Sequence, residues 1–556
     1  MKKLFIHNII VAIIAIFVFV GCSKNPDVVY YNGKIYTLDD KNTIAEAIAV
    51  KDGKILSVGT NKEIKDNYSD VKSIDLEGKC VLPGFIDAEG SITHYAENLS
   101  TILLEKYNST EELGKIIEEY CKKFNKDVWI KVYFFGKYES NDDSIANLDK
   151  SKLDVFAPDH NVYVMNREGS MAVLNSKALN TLKLKPDLLP DGIEAGLDEN
   201  DELDGWITGD VRDYFSKRIN SYSRETMASL LEIASKEILK WGIVEVRDRN
   251  LTKESINIIR NLIDSNKFTI KIYAIISYEY DLINEFLAKG IEKDYKGKLS
   301  VRAVSIDVDG AFEFKLAEMF DKYKDSPNFA PAFKTEEDVD DLLNKAFKSE
   351  FQVNIKAVGD KAVNMSLNSL EKHLKQQNYE NHRTVLENVQ FIKQNDLKRI
   401  KELKVIPSIR PEVCIDDAYI LSRLIDSSLI NNLGLWKSLL NNSGYIVAGS
   451  DFPFENRTIN PLIQIFYLTM RKDIDDKSNE RINPSECLSI EEAIKAYTIW
   501  AAYACFDEEY RGSLEKGKYA DFIVLSDDIF NIKPESLLNV KVLKTIINGT
   551  VMFESK

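Results

Sequence analysis

Acidic and hydroxyl side chains stand at every second position after one apolar segment of this chain. Asp87, Glu89 and Ser91 follow Val81-Leu-Pro-Gly-Phe-Ile at two-residue spacing. Successive side chains of a β-strand point to opposite faces, so these three residues are expected to share one face. Carboxylates and hydroxyls grouped in this way can bind a cation, accept protons or hold a polar ligand.

The same period of two recurs in two later segments. Ser305, Asp307 and Asp309 alternate with apolar residues, and Asn354 and Lys356 do so in the next apolar segment. We therefore expect these polar side chains to point into one shared pocket while their apolar neighbours face a helical layer.

Further charged residues stand near the ends of other predicted strands, namely Arg247, Arg410 and Asp451. Unpaired buried charges are costly, so mutual pairing is expected. We expect the two arginines to pair with Asp307 and Asp309, because Arg favours bidentate carboxylate partners.

Plainer structural roles stay open for several of these residues. Lys356 can extend toward solvent at its strand end. Asp451 can cap the turn at Phe452-Pro453, and Asp307 and Asp309 can be turn carboxylates before a glycine.

Repeated helix-then-strand units indicate how these residues are positioned. Ser223 is an expected N-cap for a helix that Gly242 ends, and Thr335 with Asp338 has the pattern of a capping box. Such repeats favour a parallel sheet closed into a (β/α)8 TIM-like barrel, an α/β fold. Eight barrel strands are expected, near Phe85, Val246, Ile275, Ile306, Ile355, Leu386, Ile406 and Val447.

Both chain ends read as β-structure. Asp52-Gly53 and Asn548-Gly549 are typical of tight turns between strands. We expect a small β-sandwich formed by residues 22–80 and 506–556, around a barrel of residues 81–505. The segment of about 95–225 is too long for one crossover and is interpreted as an insertion at the barrel mouth.

Composition limits the partners. The 556 residues are 44% hydrophobic and carry a net charge of -15, so a folded acidic protein is expected and nucleic acid is excluded as a partner. The five histidines are too dispersed to form a His-x-His ligand pair. Five cysteines after the first are irregularly spaced, which indicates buried thiols and no disulfide framework.

The N-terminus has the pattern of an export signal. Two lysines precede an apolar run from Ile9 to Val20, and Gly21-Cys22 follows. Phe19-Val20-Gly21-Cys22 resembles a bacterial lipobox, so residues 1–21 are expected to be a lipoprotein signal peptide and Cys22 the lipidated residue. Plain signal cleavage or an uncleaved anchor is the alternative. The expected location is the cell envelope, with the membrane contacted through the N-terminal lipid.

Several separated motifs together resemble the amidohydrolase superfamily, and within it amidohydrolase family 3, the group of exoenzymes that includes N-substituted formamide deformylase. The motifs recur in order along the mature chain: Leu82-Pro-Gly-Phe-Ile-Asp87, Gly242-Ile-Val-Glu-Val-Arg-Asp248, Asp309-Gly310, Ala357-Val-Gly-Asp360-Lys-Ala362, Gly449-Ser-Asp451-Phe-Pro453 and Gly512-Ser-Leu-Glu-Lys-Gly-Lys-Tyr-Ala-Asp521. The resemblance implies two metal ions at the barrel mouth and hydrolysis of non-peptide carbon–nitrogen bonds by a metal-activated water.

Most of the implied metal-site residues are replaced in this chain. The histidines and the bridging lysine that the resemblance implies fall on Glu89, Ser91, Ser305, Lys356 and Asn388, and a further histidine near the substrate falls on Ser170. Arg247 and Arg410 stand where relatives tend to carry histidine and glutamine. Only Asp451 keeps the implied identity and is the candidate catalytic residue. We expect Lys356 and the guanidinium groups to neutralise Asp451 and Glu89 in place of metals.

Three functions remain open. The favoured one is a lipid-anchored pseudoenzyme with no cofactor and a pocket for a small polar or anionic ligand, lined by Glu89, Ser91, Ser170, Arg247, Ser305, Asp307, Asp309, Lys356, Asn388 and Arg410. The second is an active hydrolase of carbon–nitrogen bonds that uses a rearranged site, such as one divalent ion on Glu89, Asp307 and Asp451. The third is an envelope binding or structural protein. A homodimer is an expectation from barrel size alone.

Overall fold

The computed structural model describes residues 25–104, 109–134, 145, 148–166, 169–219, 222–278, 280–324, 326, 330, 332–377, 379–452, 458–474 and 480–555. The expected signal peptide, residues 1–21, and Cys22 lie outside the described residues, as does Pro453. Within the described part of the chain, no helix combines the length and the apolar character needed to cross a bilayer.

The strands and helices are numbered in chain order. The strands are β1 Val28–Tyr31, β2 Lys34–Tyr36, β3 Ile44–Ala45, β4 Ala47–Lys51, β5 Lys54–Gly59, β6 Ser73–Asp75, β7 Cys80–Pro83, β8 Phe85–Gly90, β9 Thr101–Leu104, β10 Ile130–Phe134, β11 Val162–Met165, β12 Met171–Leu174, β13 Ile193–Leu197, β14 Leu203–Gly209, β15 Ile243–Leu251, β16 Lys271–Ser277, β17 Glu292–Tyr295, β18 Leu299–Asp307, β19 Gln352–Lys356, β20 Val385–Glu387, β21 Ile406–Ile409, β22 Val447–Ala448, β23 Phe522–Leu525, β24 Val542–Ile547 and β25 Thr550–Glu554. The helices are α1 Asn61–Asn67, α2 Ile92–Asn98, α3 Thr110–Lys123, α4 Lys150–Phe156, α5 Ser176–Leu182, α6 Val211–Ile219, α7 Arg224–Glu237, α8 Lys253–Asp264, α9 Tyr280–Lys289, α10 Glu336–Lys348, α11 Asp360–Gln377, α12 Gln394–Glu402, α13 Pro411–Leu424, α14 Trp436–Ser443, α15 Pro461–Met470, α16 Ile490–Ala496 and α17 Ile499–Ala504.

The predicted barrel is present, and each of the eight expected strands belongs to its sheet. The parallel order is β22-β21-β20-β19-β18-β16-β15-β8, with β17 added antiparallel to β18. The first and last strands, β8 and β22, are joined by individual hydrogen bonds and not by the pairing that joins the other neighbours. The backbone N–H of Asp451 donates to the Glu89 carbonyl at 2.9 Å, and Ser450 donates to the Asp87 carboxylate through its N–H and hydroxyl. The (β/α)8 prediction is therefore confirmed.

Two predicted helix starts are also confirmed. Ser223 accepts a hydrogen bond from the Thr226 N–H at the start of α7, and Gly242, at φ 76°, follows the short turn that ends this segment. Thr335 and Asp338 form a reciprocal capping box at the start of α10. These local contacts satisfy backbone donors that a helix terminus leaves unpaired, which explains why the sequence pattern locates them.

A small sandwich of two sheets joins the chain ends. One sheet has the order β5-β4-β1-β6, and the other has the order β25-β24-β23-β7-β2-β3. Tyr30 of the first sheet packs edge-on against Phe522 of the second, with ring centroids 4.9 Å apart. Between β1 and β2 the chain passes from one sheet to the other at Asn32, where φ is 57°.

A third sheet, with the order β13-β14-β12-β11-β10-β9, lies within the predicted insertion between the first two barrel strands. It has its own apolar core, which includes Val132, Val164 and Val173. The barrel core is separate and forms between the strands and their surrounding helices, with Val304, Ile306 and Val308 facing this layer as predicted.

Candidate functional site

A cavity of about 270 Å³ opens at the carboxyl ends of the barrel strands, where barrel enzymes carry their active sites. Its described lining contains five carboxylates and three cationic side chains. The lining residues are Glu89, Gly90, Ser91, His94, Arg249, Asp307, Ala311, Glu313, Lys356, Asn388, Gln390, Arg410, Val413, Asp417 and Asp451. The structure thus brings together Glu89, Ser91, Asp307, Lys356, Asn388, Arg410 and Asp451 of the residues selected from the sequence.

Arg410 bridges two of the carboxylates. It stands directly after β21, and its Nε lies 2.5 Å from Glu89 Oε2 while its Nη1 lies 2.8 Å from Asp451 Oδ2. Arg410 is only 7% exposed, so the two contacts take place away from bulk water. One guanidinium group therefore links a carboxylate of the first barrel strand to a carboxylate that follows the eighth.

Glu89 is held from both sides. Its Oε1 accepts a hydrogen bond from the Ser408 hydroxyl and another, at 3.2 Å, from the Asn388 N–H. Burial raises the pKa of Glu89, but the Arg410 guanidinium and the Ser408 hydroxyl outweigh it, so the net shift is downward. Glu89 is consequently an ionised, fully engaged carboxylate.

Arg249 forms the second charge cluster. Its Nη2 donates to Asp307 Oδ1, and its Nε lies 2.6 Å from Glu387 Oε2. Burial raises the pKa of Asp307, and the opposing effect of Arg249 lowers it below its ordinary value. Glu387 is fully buried and also accepts from Asn354 at 2.9 Å. The cluster holds two carboxylates with one guanidinium.

Lys356 has a looser environment than either arginine. Its Nζ lies 3.9 Å from Asp307 Oδ2, and this is the ion pair that the described residues provide for it. Of the cations expected to neutralise Asp451 and Glu89, the Arg410 guanidinium contacts both carboxylates, whereas the ion pair of Lys356 is with Asp307. Burial lowers the pKa of Lys356, and Arg410 lowers it further against the effect of Asp307.

Arg247 lies deeper than predicted. It is fully buried, and its Nη2 donates to Gln352 Oε1 at 3.2 Å and to Asn354 Oδ1 at 3.3 Å. The predicted pairing of Arg410 with Asp307 or Asp309 is wrong, because Arg410 contacts Glu89 and Asp451 instead. The predicted pairing of Arg247 with the same two aspartates is wrong too. The reason is strand length: β15 runs to Leu251, so the mouth is occupied by Arg249, two residues further along the same face.

Ser305 shares this deeper layer, since it is buried and pairs in register with Asn354 on the next strand. It does not belong to the described lining of the cavity.

Asp309 and Ser170 also lie outside the described lining. Asp309 accepts backbone N–H groups of Glu318, Val358 and Gly359, each at 2.8 Å, so it ties the loop after β18 to the loop after β19. This is the turn role weighed for it above. Ser170 is exposed between β11 and β12, where its hydroxyl accepts from Asn166 at 3.0 Å.

Five polar residues of the described lining were not selected from the sequence, namely His94, Arg249, Glu313, Gln390 and Asp417. Arg249 follows Arg247, and Gln390 follows Asn388, at the spacing of two that places side chains on one face of a strand, so this period could have indicated both. Asp417 lies on α13 and contacts Gln390 across the loop, at 2.8 Å. A helix residue of this kind gives no sequence signal for the pocket.

These residues do not fit a pair of divalent ions. Each carboxylate among Glu89, Asp307 and Asp451 contacts a fixed cation. His94 is the one histidine in the described lining, and no group of three or more His, Cys, Asp or Glu residues among the described residues has the arrangement of a metal site. The arrangement balances the carboxylates with fixed cations and lines the cavity with polar groups.

The sequence profile of the amidohydrolase family matches residues 72–553. Putative amidohydrolase YtcJ of Bacillus subtilis (strain 168) is 26% identical over 538 residues, covering 95% of this chain and 99% of that protein. N-substituted formamide deformylase of Arthrobacter pascens is 23% identical over 553 residues, covering 95% and 98% respectively. An uncharacterized metal-dependent hydrolase of Pyrococcus furiosus superimposes with a TM-score of 0.71 at 22% identity, covering 91% of this chain and all of that one.

Proposed function

The chain belongs to the amidohydrolase family, and from this premise we propose that it is a member in which side-chain cations have taken the place of the metal centre. The barrel mouth then binds a small polar or anionic ligand and does not hydrolyse carbon–nitrogen bonds with a metal-activated water. The observation that carries the proposal is the bridge from Arg410 to Glu89 and Asp451, at 2.5 and 2.8 Å.

Charge balance alone does not reproduce metal catalysis. A guanidinium group neutralises carboxylates and donates hydrogen bonds, but it has no open coordination position and does not lower the pKa of a bound water as a divalent ion does. Arg410 contacts two carboxylates and Arg249 contacts two more. The proposed pocket therefore has these carboxylates paired with fixed cations but no metal ion to activate a water molecule. A ligand-binding role follows.

A metal-dependent hydrolase is the second candidate function. It is favoured by the relative named N-substituted formamide deformylase and by the structural neighbour described as a metal-dependent hydrolase. A single divalent ion on Glu89, Asp307 and Asp451 would have to displace both arginines from oxygens that they now contact. Carboxylate ligands of this kind suit calcium or manganese better than zinc.

Elemental analysis and an amidase assay separate the two candidates. The full-length protein is purified without chelator, and we expect substoichiometric zinc, iron and manganese, with no hydrolysis of N-formyl or N-acyl amines. Asp451→Asn, purified in the same way, is the control, because a contaminating hydrolase would survive that change. Stoichiometric metal, or hydrolysis that disappears in Asp451→Asn, would overturn the proposal.

Lipid anchoring in the cell envelope is a separate part of the proposal. It is supported by the lipobox-like sequence that ends at Cys22 after an apolar run of secretory length. We expect the protein to fractionate with membranes and Cys22→Ser to be released or retained as an unprocessed precursor. Identical fractionation and identical mass of both forms would contradict the anchor.

A further inference from the structure

Two buried carbonyl oxygens of residues that line the cavity have no hydrogen-bond partner among the described residues. They are Asn388 Oδ1 and Gln390 Oε1, and their residues are 3% and 2% exposed. Both residues belong to the cavity lining. Buried acceptors are normally satisfied, because leaving them unpaired costs the hydrogen bond that water would have made. Two such acceptors in one pocket therefore point to a ligand that donates to them.

The orientation of the Gln390 amide is determined by its neighbour. Its Nε2 donates to Asp417 Oδ2 at 2.8 Å, and its backbone carbonyl accepts from the Gly434 N–H at 2.7 Å. The reverse orientation would place the carbonyl oxygen against a carboxylate, which is repulsive. The amide is thus fixed with its oxygen away from Asp417.

Asn388 is held by its backbone. Its φ is 54°, in the left-handed region that asparagine adopts more readily than most residues, and its N–H donates to Glu89 Oε1. Glu89 of the first barrel strand therefore holds the backbone of Asn388 in place.

The charge of the lining favours the same kind of ligand. The lining has two more carboxylates than cationic side chains. The carboxylates are Glu89, Asp307, Glu313, Asp417 and Asp451, and the cations are Arg249, Lys356 and Arg410. An excess of negative charge attracts a cationic group. Lys356 has its nearest carboxylate oxygen at 3.9 Å and no hydrogen bond among the described residues, so it can receive an anionic group of the same ligand.

We propose that the cavity binds a small zwitterion, with a primary ammonium group on Asn388 Oδ1 and Gln390 Oε1 and a carboxylate facing Lys356. The volume of about 270 Å³ lies at the lower end of ligand pockets and suits a molecule of amino-acid size. This inference rests on the proposed function, since it assigns the ligand class of the same pocket.

The test measures the thermal unfolding midpoint of the full-length protein with matched probes. The common amino acids and 4-aminobutyrate are compared with butyrate and butylamine at equal millimolar concentrations. Because a ligand of the native state stabilises it, at least one zwitterion is expected to raise the midpoint more than either half-molecule. No protection by any zwitterion, or equal protection by butyrate, would overturn the inference.

Three variants check the contacts by titration with the best zwitterion. Gln390→Met removes one acceptor and is expected to weaken binding about tenfold or more, the worth of one hydrogen bond to a charged group. Asn388→Asp is expected to tighten butylamine binding and weaken butyrate binding, a reversal that lost stability alone would not produce. Asn266→Asp is the matched control, since Asn266 is exposed at φ 57° far along the chain from the cavity, and it should leave both affinities unchanged. Lys356→Met should weaken the zwitterion and spare butylamine.

Failure of this inference is distinguishable from failure of the proposed function. Protection by carboxylates alone leaves a metal-free binding pocket and overturns only the zwitterion. Bound stoichiometric metal or amide hydrolysis overturns the pocket's proposed role whatever the probes show.

Discussion

Replacing Arg410 with glutamine would test the claim that a guanidinium group now does the electrostatic work of a metal centre. The change removes the cation that contacts Glu89 at 2.5 Å and Asp451 at 2.8 Å, and it leaves both carboxylates with their other partners only. Glu89 is fully buried, so water cannot replace the lost charge. Removing one member of a buried pair costs about 3–5 kcal/mol, so we expect the free energy of unfolding of Arg410→Gln to fall by about that amount.

The assay is denaturant unfolding at neutral pH, with Lys236→Gln as the control. Lys236 pairs with Glu232 at 2.7 Å on the exposed face of α7, and its side chain is 54% exposed. An exposed pair of this kind contributes about 0.5 kcal/mol or less. Arg410→Gln should therefore lose several times more unfolding free energy than Lys236→Gln.

Two further observations distinguish a charge effect from lost packing. In the wild-type protein Arg410 holds the pKa of Glu89 below its ordinary value, so the stability from this contact is present above the unfolded pKa and is lost as pH falls. The stability gap between wild type and Arg410→Gln should therefore narrow toward acidic pH. Millimolar manganese or calcium should also stabilise Arg410→Gln and have less effect on the wild type, because the freed carboxylates suit these ions.

The reasoning is refuted if Arg410→Gln loses less than about 1 kcal/mol at neutral pH, since surface ion pairs already reach that value. It is also refuted if the stability gap is independent of pH and of divalent ions. Either result would show that Arg410 fills space and carries no electrostatic role at the barrel mouth.

Two other predictions concern the closure of the barrel. Burial raises the pKa of Asp87 to about 6 despite its hydrogen bonds from Ser450, so the native state binds an extra proton between about pH 4 and 6 and the wild type loses stability as pH rises through this range. Asp87→Asn should flatten the pH dependence of the unfolding free energy by up to about 1.4 kcal/mol per pH unit there, and an unchanged slope in urea titrations would contradict this. Gly449→Ala should sharply reduce the yield of folded protein, because a Cβ would lie 2.3 Å from the Glu89 backbone nitrogen. Gly444→Ala, at φ 78° with open space around it, should cost only about 1 kcal/mol, and equal yields of the two variants would argue against close packing at the seam.

The sequence by itself determined the architecture. Helix caps such as Ser223, tight turns such as Asn548-Gly549 and the alternation of apolar segments report contacts within a few residues, and those contacts are local. Strand periodicity also identified the inward face correctly, because the direction of a side chain in a strand depends on its position alone. The match to residues 72–553 confirms the family membership that the ordered sequence motifs, such as the one ending at Asp87, had indicated.

Only the tertiary structure decided which charges meet. Arg249 and not Arg247 reaches Asp307, because the height of a side chain in the barrel depends on where β15 ends. Arg410 and not Lys356 joins Glu89 to Asp451, because that bridge spans three strands far apart in sequence. The Gln390 amide is oriented by Asp417 from a separate helix. Ion pairs and hydrogen bonds act over about 3–4 Å, so their partners are selected by the packing of whole elements and not by spacing along the chain.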